Sequence, residues 1–169
     1  ANHSHNWVYT YTIEHEDFDM PADGDTTVAC ASEIVAPTLP TVKDNCNNPL
    51  TGVLKSGYPT ATPSCEGTVT YIYTFTDCEG NTHDWTYTYT IEREDFEMPD
   101  NDSSIVACAS AIEEPTLPVV KDACGDTLTG VLKSGYPTAT PSCEGDVEYV
   151  YTFTDCEGNT HDWTYTYTI

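Results

Sequence analysis

The most regular feature of the chain is a strict alternation of apolar and polar positions. Over TVTYIYTFT (68–76), Val69, Tyr71, Tyr73 and Phe75 fall on one side of an extended backbone and Thr70, Ile72, Thr74 and Thr76 on the other. WTYTYTI (85–91) does the same, with Trp85, Tyr87, Tyr89 and Ile91 on one face and threonines on the other. A period of two sends alternate side chains to opposite faces of a strand, so each run predicts a strand with one packed face. The intervening DCEGNTHD carries Gly80 and Asn81 as turn residues, which predicts a hairpin. Shorter strands are expected at 26–31, within 38–45 around Val42, and at 50–55, separated by Pro, Gly and Asn-rich breaks. Gly57, Tyr58 and Pro59 read as a bend in an edge strand, since Pro cannot donate to a central ladder, and Tyr58 is expected to be buried. Helical periodicity is absent. The expected fold class is all-β, with six or seven short strands per module forming a small immunoglobulin-like β-sandwich.

These strands recur. Trp7, Trp85 and Trp163 are 78 apart, and every cysteine from Cys30 to Cys78 has a counterpart at the same interval. Residues 14–91 and 92–169 agree at 59 of 78 positions without a gap, and residues 1–13 echo 79–91. A fixed period overrides local reading and divides the chain into the last strand of a preceding repeat (1–13), repeat 1 (14–91) and repeat 2 (92–169). Only about four residues, Glu92 to Asp95, are expected to join the last strand of one repeat to the first of the next. Junctions that short favour tandem modules arranged as beads on a stiff rod. The partners expected are neighbouring repeats of the same protein and other copies in a filament.

A module of this size buries too little surface to be stable without staples, and each repeat carries four cysteines. No C-x-x-C pair is present, so the pattern reads as a disulfide framework in an oxidising, extracellular compartment rather than as zinc ligands. Strand 67–76 would separate Cys65 from Cys78 by about 30 Å at about 3.3 Å per residue, too far for a bond that needs Cα atoms within about 7 Å. Cys30–Cys46 is then excluded as well unless two thiols stay free, and sandwich topology predicts Cys30–Cys78 and Cys46–Cys65, and in the second copy Cys108–Cys156 and Cys124–Cys143.

The net charge of −23, with five Lys and Arg, argues against nucleic acid and anionic membrane surfaces as partners. Twelve Tyr, four Phe and three Trp argue against disorder. No apolar stretch approaches the roughly 20 residues of a membrane span, so no membrane insertion is expected, and export implies a signal upstream of this segment.

Catalysis needs a nucleophile with a base, paired carboxylates or an open metal site, and no such set is evident, so no catalytic residue and no enzyme are expected. His83 beside Asp84 reads as a surface residue, because adjacent strand residues face opposite ways. The best candidate site is acidic: Glu92, Glu94 and Asp95 at the junction, with Asp23 and Asp25 of one turn and Asp155, Asn159 and Asp162 of another. Calcium takes six to eight oxygens from such sources and is the one cofactor candidate, although no complete calcium loop is present. The threonine faces suit an ice-binding ladder or, with Tyr, a glycan platform, but strand propensity accounts for them. Residues 7–13 present Trp7, Tyr9 and Tyr11 on a face that should be buried, so this strand belongs to a preceding module or completes a sandwich in another chain by strand addition.

VACAS (28–32), PTVKDNC (40–46), PSCEGTVTYIYTFTDCEGN (63–81) and WTYTYTI (85–91) resemble the HYR-like four-cysteine repeats, immunoglobulin-like modules of giant SprB-type surface adhesins of gliding Bacteroidota. The resemblance spans both repeats and the leading strand. It implies a very large, exported cell-surface protein, delivered by type IX secretion and serving as an adhesive filament or non-catalytic spacer stalk. It carries over no binding residues. Two other readings are a glycan- or surface-binding module and an accessory module beside a secreted hydrolase.

Overall fold

The computed structural model describes residues 3–169. Each repeat has six strands: β1 (Gly24–Val28), β2 (Val42–Lys43), β3 (Pro49–Leu50), β4 (Val53–Leu54), β5 (Gly67–Thr76) and β6 (Thr82–Ile91), then β7 (Asp102–Ile105), β8 (Val120–Lys121), β9 (Thr127–Leu128), β10 (Val131–Leu132), β11 (Asp146–Thr154) and β12 (Thr160–Thr168). The order β1-β6-β5-β4 makes one four-stranded sheet and β10-β11-β12-β7 another, while β2-β3 and β8-β9 form two-stranded sheets. The fold is all-β in tandem immunoglobulin-like modules, as the alternation predicts.

The long hairpin is the frame of each module. β11 and β12 pair antiparallel with Tyr149 opposite Tyr165 and Tyr151 opposite Trp163, so the aromatic face is continuous across the ladder. β7 lies parallel to β12, with Asp102 beside Tyr165 and Ile105 beside Thr168. On the face the alternation selects, Val69, Tyr73, Phe75, Trp85, Tyr89 and Ile91 are buried and Tyr71 and Tyr87 half-buried, while in repeat 2 Val150 of the opposite face is buried as well. Trp85 is 5% exposed and its indole N–H donates to the Ala22 carbonyl at 2.9 Å, satisfying the one polar atom of a buried ring.

Phe18 and Phe96 also lie in the cores, one against Val42, Phe75 and Trp85, the other against Val120, Phe153 and Trp163. Both lie in segments without strand pairing, where no alternation marks them. Hence repeat 2 does not begin with a strand four residues after β6. Its first strand waits until Asp102, and Phe96 anchors the intervening chain by burial. Gly57 and the following Tyr58–Pro59 cis peptide form the expected bend. The edge continues past it, since Lys55 N donates to Ile72 O and Thr60 N to Thr70 O, and Tyr58 is half-buried.

Two compact units result, and they do not coincide with the sequence repeats. One contains Ala36–Thr60 and Thr70–Thr88 with the N-terminal segment through Gly24. The other contains Asp25–Val35, Ala61–Val69 and Tyr89–Ile169, that is, repeat 2 together with three segments of repeat 1. Of the expected leading strand, residues 1 and 2 lie outside the described residues. The remainder forms no strand, and Trp7 is 85% exposed where its counterpart Trp85 is buried.

Candidate functional site: a disulfide joint within the second unit

Two capped turns of repeat 2 each hold a cysteine outward. Between β8 and β9, Asp122 Oδ1 accepts the backbone N–H groups of Cys124 at 3.0 Å and Asp126 at 2.8 Å. After β11, Asp155 Oδ1 accepts those of Glu157 at 3.0 Å and Asn159 at 2.9 Å, and Asp155 Oδ2 accepts Asn159 Nδ2 at 2.9 Å. An aspartate closing its own downstream turn fixes the backbone without help from a ladder. Desolvation pushes the Asp155 carboxyl up, but the bonds from Asn159, Glu157 and Gly158 outweigh it and hold it below the usual carboxylate range.

The facing surface comes from repeat 1. Cys30 follows β1 and leads into a single 3-10 turn, Ala31–Glu33. Cys65 precedes β5, where Gly67 has φ +144 and a Cβ would meet Pro63 at 3.0 Å. Cys30 bonds Cys124 with Cα atoms 5.6 Å apart, and Cys65 bonds Cys156 with Cα atoms 5.8 Å apart. Cys46, Cys78, Cys108 and Cys143 are free and exposed.

This corrects the four expected bonds. Cys30–Cys78, Cys46–Cys65, Cys108–Cys156 and Cys124–Cys143 do not form, although Cys65 and Cys78 are indeed unpaired with each other. The reason is strand direction. Because β7 is parallel to β12, Cys108 emerges where β12 ends and β11 begins, with Val106 N bonded to Thr168 O at 2.8 Å. Cys156 sits in the turn at the other end of that hairpin. The first and third cysteines of a repeat therefore share one end of the sheet, and those of repeat 1 pair with the second and fourth cysteines of repeat 2.

Arg93, the one arginine of the chain, completes the joint. Its Nη1 is 2.7 Å from Asp122 Oδ2, with side chains 10% and 7% exposed, and its Nε is buried without a hydrogen-bond partner. The visible signal was its place among the differences between copies, since the counterpart is His15. Glu157 lies on the same surface. Desolvation, then repulsion from Glu66 of repeat 1, raises its carboxyl above the usual range.

The family described as HYR-like domain with four cysteines matches residues 18–91 and 96–169. The chain belongs to this family. HYR-like domains are extracellular repeat domains of the adhesive type. No curated protein matches the chain. Among the described residues no helix of this HYR-like pair is long and apolar enough to cross a membrane.

The acidic residues expected to gather around calcium are engaged separately in the HYR-like repeats. Asp95 accepts from His161 Nε2 at 2.9 Å, and Asp162 pairs with Lys133 and accepts from Thr152. Asp155 and Asn159 close their own turn, and Asp23 Oδ1 accepts from Thr86 N at 2.8 Å. Asp25, Glu92 and Glu94 are exposed, and the Glu92 backbone N–H donates to Val28 O. Among the described residues no three His, Cys, Asp or Glu are grouped to hold a metal. His83 turns away from Asp84 and meets Asp17 at 2.9 Å, while Asp84 meets Lys55.

Proposed function

We propose that the chain is a structural, adhesive repeat segment of a very large cell-surface protein, and that it works as a non-catalytic spacer stalk. The observation that supports this best is the pairing of cysteines across repeats. A binding module would need only to staple itself, whereas bonds from one repeat to the next make the joint part of the load path and restrict unfolding of either partner. The acidic surface keeps a long array of such repeats soluble. The resemblance to SprB-type adhesins supports export by type IX secretion and display on the surface of a gliding bacterium.

The test exchanges the segment within the full-length surface protein. Deleting the two repeats should weaken attachment of cells, and inserting two unrelated rigid modules in their place should restore it. Failure of the exchange, or saturable binding of the isolated chain on a glycan array that is lost on replacing strand tyrosines, would assign the chain to ligand binding instead.

A further inference from the structure

We propose that Arg93 is a positioning residue for the Cys30–Cys124 bond: it holds the turn that carries Cys124 against the exit of β1, so that this bond depends on the guanidinium and Cys65–Cys156 does not. Both bonds lie within the chain, so this role holds whether or not the chain serves as a stalk.

Two consecutive residues meet the two halves of the bond. The Glu92 N–H donates to Val28 O at 3.0 Å, which fixes the last residue of β1 two positions before Cys30. Cys30 is extended (φ −133, ψ 144) and leads at once into the turn Ala31–Glu33, so its side chain departs from a settled backbone. The next residue, Arg93, reaches the other half, with Nη1 2.7 Å from Asp122 Oδ2 and 4.0 Å from Asp126 Oδ2. The segments they hold lie close, since Cys124 Sγ is 3.5 Å from Ala29 O and Cys30 Sγ 4.0 Å from Ala123 O.

Asp122 is the centre of the Cys124 turn. Its Oδ1 accepts the N–H groups of Cys124 and Asp126, and its carbonyl accepts Gly125 N at 3.0 Å, where Gly125 has φ +88. Oδ2 is the oxygen given to Arg93. The two side chains are nine-tenths or more buried, and the Arg93 Nε has no hydrogen-bond partner among the described residues, a cost that the short pair offsets. Without the guanidinium the carboxylate would be buried unpaired. Hydrating it requires the turn to swing outward, and Cys124 goes with it. The bonded Cα atoms are 5.6 Å apart, and a disulfide needs them within about 7 Å, so a displacement of about 1–2 Å is enough to disfavour the bond.

Cys65–Cys156 is held by other means. Asp155 closes the Cys156 turn through Glu157, Gly158 and Asn159 of that same turn, and Cys65 lies two residues before Gly67, which is packed closely on Pro63. Each bond forms by exchange with a small-molecule disulfide such as oxidised glutathione. One protein thiolate attacks it, giving a mixed disulfide and releasing one glutathione thiolate, and the facing protein thiolate then releases the second. Two electrons pass from two protein thiols to the oxidant, and their two protons end on the two released thiols. The position of this equilibrium reports the effective concentration of one cysteine at the other, which is what a positioning residue raises.

The test titrates the whole chain against graded ratios of reduced to oxidised glutathione and follows each bond by alkylation and peptide mapping. Cys46→Ser, Cys78→Ser, Cys108→Ser and Cys143→Ser, all at exposed positions, leave only the two bonds to exchange. Arg93→Ala should lower the effective concentration for Cys30–Cys124 by about tenfold or more, the effect of losing a charge-assisted hydrogen bond, and leave that for Cys65–Cys156 within about twofold. Arg93→Met, which keeps an unbranched stem without the charge, should match Arg93→Ala, and Arg93→Lys should recover part of the loss. Chains that keep only Cys30 and Cys124, or only Cys65 and Cys156, remove any support that one bond lends the other. Equal shifts in both bonds, as general destabilisation gives, or an unshifted Cys30–Cys124 in Arg93→Ala or Arg93→Met, overturn the proposal. Cell attachment is a separate readout, so this role and the stalk reading fail separately.

Discussion

Arg93 Nη1 and Asp122 Oδ2 are 2.7 Å apart in a buried ion pair, and Asp122 is also the residue that shapes the turn carrying Cys124. Removing the guanidinium leaves an unpaired carboxylate where solvent reaches poorly. Arg93→Ala should cost about 3–5 kcal/mol in a denaturant melt, and Arg93→His, which installs the residue of repeat 1, should cost less. Equal stability of all three proteins would remove the pair from the joint's energetics.

Two glycines of repeat 2 should respond to alanine for different reasons. A Cβ on Gly130 would lie 2.7 Å from Phe153 Cζ, and Phe153 is fully buried, so Gly130→Ala should cost about 1–3 kcal/mol through overpacking. Gly158 has open space around it but φ +90, so Gly158→Ala should cost about 1–2 kcal/mol through backbone conformation alone. The distinction is measurable. Phe153→Leu should cost less in the Gly130→Ala background than in the unmodified chain, and the same in the Gly158→Ala background as in the unmodified chain.

Acid should act in two opposite steps. Glu157 binds its proton more tightly folded than unfolded, because desolvation and then Glu66 oppose its charge, so the joint carries a penalty at neutral pH that is relieved as pH falls through its raised pKa. Asp84 and Asp162 run the other way. Hydrogen bonds from Lys55 and Lys133 first, then from Thr74 and Thr152, hold them below the usual range. Their stabilisation is present above the unfolded aspartate pKa and is lost as pH falls through the lowered values. Melting temperature should therefore rise slightly on mild acidification and then drop, and Glu157→Gln should abolish the rise while preserving the drop.

At the alkaline end, Tyr151 is pushed up to about 12 by desolvation and then by its hydrogen bond to Glu114. Its neutral form is favoured by folding, so this contribution is complete below about pH 10 and disappears as pH climbs towards 12. Phenolate absorbance should show late titration to which Tyr167, also raised by desolvation, contributes, and Tyr151→Phe should remove its highest component. Its retention in that variant would place the late titration elsewhere.

The hairpin and its packed face were legible because Val69, Tyr73, Phe75, Trp85 and Ile91 obey a period of two, and burial follows that period directly. Phe96 was not, since it packs from a segment outside any ladder. The cysteines show a subtler limit. Their spacing excluded Cys65–Cys78, but a tandem sequence offers every cysteine a partner in its own repeat and an identical one in the next. Only strand direction decides between them, and the parallel pairing of β7 with β12 leaves no mark in the composition of β7, DSSI. Arg93 likewise owes its partner to the fold, since the Asp122 turn that carries Cys124 is distant in sequence and meets it only in the folded chain.

Covalent bonds join the two repeats, and peptide mapping of the unreduced chain tests them most directly. The Cys30–Cys124 separation of 94 residues is one 78-residue period plus the sixteen residues from Cys30 to Cys46, and the Cys65–Cys156 separation of 91 is one period plus the thirteen from Cys65 to Cys78. Digestion between all cysteines should release linked peptides containing Cys30 with Cys124 and Cys65 with Cys156. Linked peptides containing Cys30 with Cys78 and Cys124 with Cys143, each bond confined to its own repeat, would contradict that pairing.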